Sequence, residues 1–208
     1  MHDVEAGLHP WIAVLDFKSM YPSIMIGHNI CYTTRIDPAQ PAPEEGRYHI
    51  SPIESKFRLA DDRKGMVPAL LEDLMAQRDE HKAAIKEAKS NGDETAEAFH
   101  DAMQYAVKIL MNSFYGVFAS GFYRFTHRDL GSSITAWARQ NIKGIIAAVE
   151  AEGHGVVYSD TDSIFVRSPV DADAPRQVSD ELQTLADEGD EAALATVNAY
   201  QAACSSMV

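Results

Sequence analysis

Cysteine is scarce in this sequence, and long apolar runs are missing. Cys31 and Cys204 are the only cysteines among 208 residues, and they have no CxxC or Cys/His spacing. That speaks against a disulfide framework and a zinc site of the usual spacing, and leaves reduced, structural thiols as the expectation. No uninterrupted apolar stretch is long enough to span a bilayer. Met1 to Pro10 contains Asp3 and Glu5 where a secretory leader would be basic and then apolar, so a cytoplasmic location without a membrane partner is expected. A basic surplus is also missing, since the formal net charge is −13. Taken alone, that charge speaks against nucleic acid as a partner. It is unevenly spread, however. From Asp171 to Val208 there are eight acids and one base, Arg176, so this tail contributes −7 and leaves −6 for the rest. There is no GxxxxGK[ST] phosphate loop, no internal repeat and no suggestive Ser/His/Asp order.

An apolar content of 46% over this length is enough for a buried core in one domain or two small ones. Trp11 to Leu15 is almost wholly apolar and reads as a buried strand ending in Asp16, an acid placed at the edge of the core. Tyr21 precedes a proline and is expected to be extended. Pro22 suits the first turn of a helix through Ile24, Met25 and Ile26. Asp37 to Pro52 is rich in Pro, Gly and charge and reads as a loop. From Gly65 onward Leu70, Leu71, Leu74, Met75 and Ile85 mark one face of a long helix, and Arg78, Lys82, Lys86 and Lys89 share another. Taken alone, that second face reads first as a solvated one, with Glu80 and Glu87 as partners.

Ser90-Asn91-Gly92-Asp93 is a turn signal, and a second long helix follows from about Glu94 to Val117, giving an antiparallel helical hairpin. Lys108, Asn112 and Tyr115 fall on one of its faces. Asn is a poor residue for a helix interior, which suggests a polar face with a task. Gly121 to Phe125 reads as a strand or extended connection. A helix with the stripe Ile134, Trp137, Ile142, Ile145, Ile146 and Val149 comes next and stops at Gly153-His154-Gly155. Val156-Val157-Tyr158 and Ile164-Phe165-Val166 then read as two strands around the acidic turn Ser159-Asp160-Thr161-Asp162-Ser163. Two carboxylates on one side of such a hairpin repel each other unless a cation lies between them, and hard oxygen ligands suit Mg²⁺. The same residues also make ordinary turns.

Three stretches taken together resemble family B (alpha-like) DNA polymerases. Asp16-Phe17-Lys18-Ser19-Met20-Tyr21-Pro22-Ser23-Ile24 is similar to the family's motif A, D-x-x-S-L-Y-P-S-I, with Met20 in place of Leu. Lys108-Ile109-Leu110-Met111-Asn112-Ser113-Phe114-Tyr115-Gly116 matches motif B, K-x-x-x-N-S-x-Y-G. Tyr158-Ser159-Asp160-Thr161-Asp162-Ser163 matches motif C, Y-G-D-T-D-S, with Ser159 in place of Gly. The resemblance covers roughly Trp11 to Arg167.

It implies an α+β fold, with a small antiparallel palm sheet backed by helices and an inserted two-helix fingers hairpin. The implied division is palm at 1–64, fingers at 65–118, palm again at 119–170 and an acidic helical extension at 171–208. The resemblance implies template-directed DNA synthesis from dNTPs on primer-template DNA, with two Mg²⁺ ions and Mn²⁺ able to substitute. Asp16, Asp162 and the Phe17 carbonyl are the implied ligands, with Asp160 ranked third. Arg78, Lys82, Lys108 and Asn112, with the amides around Ser19 and Met20, are implied to hold the triphosphate. Tyr21 is the implied sugar gate, and Tyr115 the contact to the nascent base pair.

No proofreading domain or thumb is recognisable, so a fragment with weak activity of its own is expected. A sliding clamp would act through other parts, and the location would be nucleoid-associated in a prokaryote. Two rival classes remain, an inert polymerase-like scaffold and a DxD glycosyltransferase. The second accounts for Asp160 and Asp162 but not for the Lys108 and Tyr21-Pro22 segments.

Overall fold

The computed structural model describes residues 6–39, 41, 44, 46–124, 126–168, 183–184, 187 and 191–205. In chain order the elements are β1 (Ile12–Asp16), α1 (Met20–Gly27), β2 (Tyr48–Ile50), β3 (Lys56–Arg58), α2 (Met66–Asn91), α3 (Glu94–Ala119), α4 (Arg128–Ala151), β4 (Val156–Asp160), β5 (Ser163–Arg167) and α5 (Glu191–Ser205). Long helices with small antiparallel sheets make the fold α+β, as the sequence implies. The chain forms two compact units, Met1–Phe17 with Ile142–Val208, and Lys18–Asn141.

In the first unit three strands pair antiparallel in the order β1-β5-β4. Residues directly opposite one another share a sheet face. One face therefore carries Ala13, Val166 and Val156, with Leu15 and Ile164 beside them. Val156, Ile164 and Val166 are buried there under Ile142, Ile145, Ile146 and Val149, the helical stripe legible in the sequence. The other face carries Val14, Phe165 and Tyr158, ending in the row Asp16, Ser163 and Asp160. The expectation of a buried first strand is corrected. Val14 is 55% and Leu15 51% exposed. An apolar run predicts burial on both faces only for a central strand, and β1 is the edge of a three-stranded sheet.

The second unit is built on α1, α2 and α3 and a two-stranded sheet, β2 with β3. Gly92, with φ 69°, caps α2, and the Asp93 side chain caps α3 by accepting from the Ala96 amide at 2.9 Å. The turn residues thus act as their chemistry predicts. Buried Asn29 ties three segments together. Its amide donates to the carbonyls of Arg58 at 2.8 Å and Arg63 at 2.9 Å, and its oxygen accepts from Gly65 N at 2.8 Å. His28 stacks on Trp137 with centroids 3.9 Å apart. Burial, and secondarily the neighbouring His49, lowers its pKa to about 4.

Three local expectations are corrected in this unit. Tyr21 is helical, because α1 already begins at Met20. Pro22 occupies a first-turn position whose N–H has no intrahelical partner, so its missing donor is tolerated there. Tyr48–Ile50, inside the expected loop, pairs as β2 with β3. Gly121–Arg124 is turn and bend where a strand or extended connection was expected, with Phe122 fully exposed, and Phe125 lies outside the described residues. The acidic stretch 171–182 also lies outside them, and Glu191–Ser205 beyond it is helical as expected.

Candidate active site

The first unit gathers acids by backbone pairing. Asp16 ends β1 opposite Ser163, and Asp160 ends β4 opposite the same serine. Only Thr161 and Asp162 separate the two strands of the hairpin, and Thr161 is held at φ 46°. Two-residue hairpin loops need a positive φ of this kind, which a β-branched residue rarely adopts. Asp162 therefore lies in the turn itself, and the expectation that it shares a strand face with Asp160 is corrected. A hydrogen bond of 2.9 Å from Phe17 N to the Asp162 carbonyl fastens the turn to the residue after Asp16. Asp16 and Asp162 line one cavity of about 100 Å³ with Leu15, Phe17, Ile142, Ile145 and Ile164. Two carboxylates over apolar walls form a surface suited to a hard cation.

Asp160 is placed differently. It accepts a hydrogen bond from the Thr161 hydroxyl at 3.1 Å. Two strand spacings separate it from Asp16, roughly 10 Å between Cα atoms. Accordingly, among the described residues no three His, Cys, Asp or Glu side chains are gathered closely enough to hold one metal ion. The arrangement is a pair plus a neighbour. Ser159, the departure from motif C, lies in β4 opposite Ile164 without a positive φ, so its Cβ meets no conformational penalty.

The second unit gathers cations by helix periodicity. Lys82 has its pKa lowered, first by burial and then by the positive charges of Arg78 and Lys18, with Lys108 adding a smaller push and Asp79 opposing it. Lys18, Lys82 and Arg78 thus act on the Asp79 carboxylate, while Lys108 acts on Lys82. Arg78 and Lys82 from α2 and Lys108 from α3 are close enough to act on one another. Lys18 and Asp79 were not foreseen. Lys18 donates to both Asp79 oxygens, at 3.0 and 2.9 Å, and this hydrogen bond is the main reason the Asp79 carboxyl titrates below the usual range. The signal available in sequence was a lysine two positions after Asp16 and an acid directly after Arg78. Arg78 Nε also donates to Gln104 Oε1 at 3.3 Å.

Asn112 is exposed one turn beyond Lys108 on α3. Ser19 has φ 52° and ψ 56°, and α1 starts immediately after it. The Met20 side chain is 4% exposed, so only its amide, at a helix N-terminus, can offer a contact to an anion. Tyr21 and Tyr115 lie side by side with ring centroids 4.5 Å apart. A cleft of about 670 Å³ begins at Tyr115 and is lined further by Phe118, Thr126, Arg128 and Thr135.

The first unit thus carries an acid pair at a sheet end, and the second a cluster of cations on a helical hairpin. Residues 5–188 match DNA polymerase family B, and the chain belongs to that family. It is 37% identical to a DNA polymerase of Desulfurococcus sp. (strain Tok) over 168 residues, which is 79% of this chain and 20% of that protein. It is 34% identical to the DNA polymerase delta catalytic subunit of Caenorhabditis elegans, over 77% of this chain and 16% of that protein. The structure of the family B DNA polymerase from Pyrobaculum calidifontis is similar with a TM-score of 0.66 and 31% identity, over 89% of this chain and 23% of that one. The chain therefore spans about a fifth of the length of such relatives.

Proposed function

We propose that this chain supplies the chemical centre of a DNA-synthesising polymerase and works within a longer polypeptide. The observation that carries this reading is the tie of Asp16 to Asp162 through the Ser163 pairing and the Phe17 N–Asp162 O bond. In the proposed reaction the primer 3′-hydroxyl attacks the α-phosphate of a dNTP. A P–O bond forms, the bond to pyrophosphate breaks, and the hydroxyl proton passes to solvent. Asp16, Asp162 and the Phe17 carbonyl would hold two Mg²⁺ ions, with Asp160 as an outer neighbour. When bound, the ions supply a lowered hydroxyl pKa and charge neutralisation at the triphosphate, and Mn²⁺ suits the same oxygen donors.

The remaining work falls to the second unit. Arg78 presents a planar fork to phosphate oxygens, while Lys82 and Lys108 act as point charges. A bound triphosphate would relieve the mutual repulsion that, after burial, lowers the Lys82 pKa. Asn112 and the amides at Ser19 and Met20 add hydrogen bonds. Tyr21 fills the space of a 2′-hydroxyl, and Tyr115 packs on the nascent base pair. Primer-template DNA and dNTPs are the proposed ligands, and a sliding clamp would bind elsewhere in the longer protein.

Primer extension by the intact polymerase tests this directly. Asp16→Ala and Asp162→Ala are expected to abolish nucleotide addition while leaving the circular dichroism spectrum unchanged. Near-normal extension by either would overturn the assignment. Tyr21→Ala is expected to raise ribonucleotide incorporation; an unchanged dNTP-to-rNTP ratio would remove Tyr21 from the role of gate.

A further inference from the structure

His81 on α2 and His100 on α3 face each other across the helical hairpin, with Nδ1 to Nδ1 3.0 Å apart. The ring centroids are 5.3 Å apart and the planes tilted by 43°. Phe99 packs edge-on against the His100 ring at 5.2 Å. Both histidines are half-buried. They belong to the second unit, one helical turn along from the Arg78–Gln104 contact. Neither the acid pair nor the cation cluster uses them.

We propose that His81 and His100 form a two-histidine site for a borderline divalent cation, Zn²⁺ being the best fit, which bridges α2 and α3. Two imidazole nitrogens bound to one tetrahedral Zn²⁺ at about 2.05 Å are about 3.3 Å apart. The observed separation falls short of that by only a few tenths of an ångström, an adjustment that side-chain rotation can absorb. At present one Nδ1 must carry the hydrogen that the other accepts. On binding, that hydrogen moves to Nε2 of the same ring. Both rings stay neutral, and both Nδ1 lone pairs are then available to the ion.

Imidazole nitrogen suits Zn²⁺, Ni²⁺ and Cu²⁺, whereas Mg²⁺ takes oxygen ligands. Among the described residues no third His, Cys, Asp or Glu joins the pair at metal-binding distance, so water completes the coordination. The site is thereby separated in chemistry from the carboxylates proposed for Mg²⁺.

The test is a Zn²⁺ titration of the 208-residue chain, followed by calorimetry and by ¹⁵N resonances of the histidine rings, with Mg²⁺ in excess throughout. One ion per chain is expected, with the Nδ1 signals of His81 and His100 shifting together. His81→Gln and His100→Gln should each weaken binding at least tenfold, while His49→Gln leaves it unchanged. The ring resonances are read in the native chain, so the result does not depend on how well the variants fold. Unshifted His81 and His100 nitrogens at saturating Zn²⁺, or equal binding by all three variants, would overturn the proposal and leave an ordinary histidine–histidine hydrogen bond.

Discussion

Asp16 and Asp162 carry their carboxylates on single-carbon stems from backbone that is pinned by strand pairing and by the Phe17 N–Asp162 O bond. Arg78, Lys82, Lys108 and Lys18 carry their charges on long stems from helices and from the segment leading into α1. The two regions therefore spend their structure differently. The acids owe their position to the main chain, and little side-chain freedom remains to correct an error. The cations owe theirs to helix periodicity, and several rotatable bonds remain in each. Tolerance of conservative substitution should differ accordingly.

That difference sets the largest expected effect. In the intact polymerase, Asp16→Glu and Asp162→Glu move the carboxylate by one methylene without moving the backbone. A misplacement of about 1 Å is able to lower a rate on the order of 100-fold, so these variants should fall nearly as far as alanine. Lys108→Arg keeps charge and reach, and its rate should stay within roughly tenfold, while Lys108→Ala, which would lose the proposed charged contact to the triphosphate, should drop on the order of 100-fold. Single-turnover primer extension measures all four. Glutamate tolerated at position 16 together with arginine rejected at position 108 would reverse the comparison.

A smaller effect is expected at the ion pair inside the cationic region. Lys18 and Asp79 are exposed, at 58% and 51% of their side chains, and pairs of that kind contribute little to stability. Asp79→Asn removes a carboxylate that offsets the charges of Lys18, Lys82 and Arg78. Affinity for dNTP should rise about two- to fivefold at low ionic strength and return to the parent value as salt screens the cluster. Equilibrium binding across a salt series reads this. Weaker binding in Asp79→Asn would mean that Asp79 positions Lys18 for the ligand instead of competing with it.

The sequence discloses these regions unequally, for physical reasons. The hairpin of α2 and α3 is legible because helix period, an Asn-Gly-Asp turn and cation spacing all point the same way. The strands of the sheet are legible as β-branched runs, and the acids stand out at their ends. Burial of β1 is not legible, since an apolar run does not say whether a strand is central or at an edge. The Lys18–Asp79 bond and the His81–His100 contact join residues whose partnership depends on how separate segments pack, which no local pattern encodes. The separation of Asp160 from the Asp16–Asp162 pair follows from a two-residue turn, and only the register of β4 on β5 fixes where that turn falls.

The smallest effect concerns Thr161, and it tests most directly whether the backbone places Asp162. Its φ of 46° is held by a β-branched residue in a two-residue turn. A left-handed conformation costs an L-residue about 1–2 kcal/mol, whereas glycine adopts it freely and loses roughly 0.5–1 kcal/mol through the entropy of the unfolded chain. Thr161→Gly should therefore stabilise the fold by about 1.5 kcal/mol at most, and its lost hydroxyl, which donates to Asp160 at 3.1 Å, offsets part of that gain. Asn also tolerates the left-handed region and keeps a polar side chain, so Thr161→Asn separates conformational relief from the missing hydrogen bond. Urea unfolding measures the stability, and primer extension measures the rate. If strain at Thr161 holds Asp162 in place, Thr161→Gly should gain stability and lose rate, with Thr161→Asn between the two. A glycine variant that gains stability with its rate intact would show that the Phe17–Asp162 bond alone suffices. A glycine variant that loses both would show that the hydroxyl bond to Asp160, and not the backbone, holds the turn.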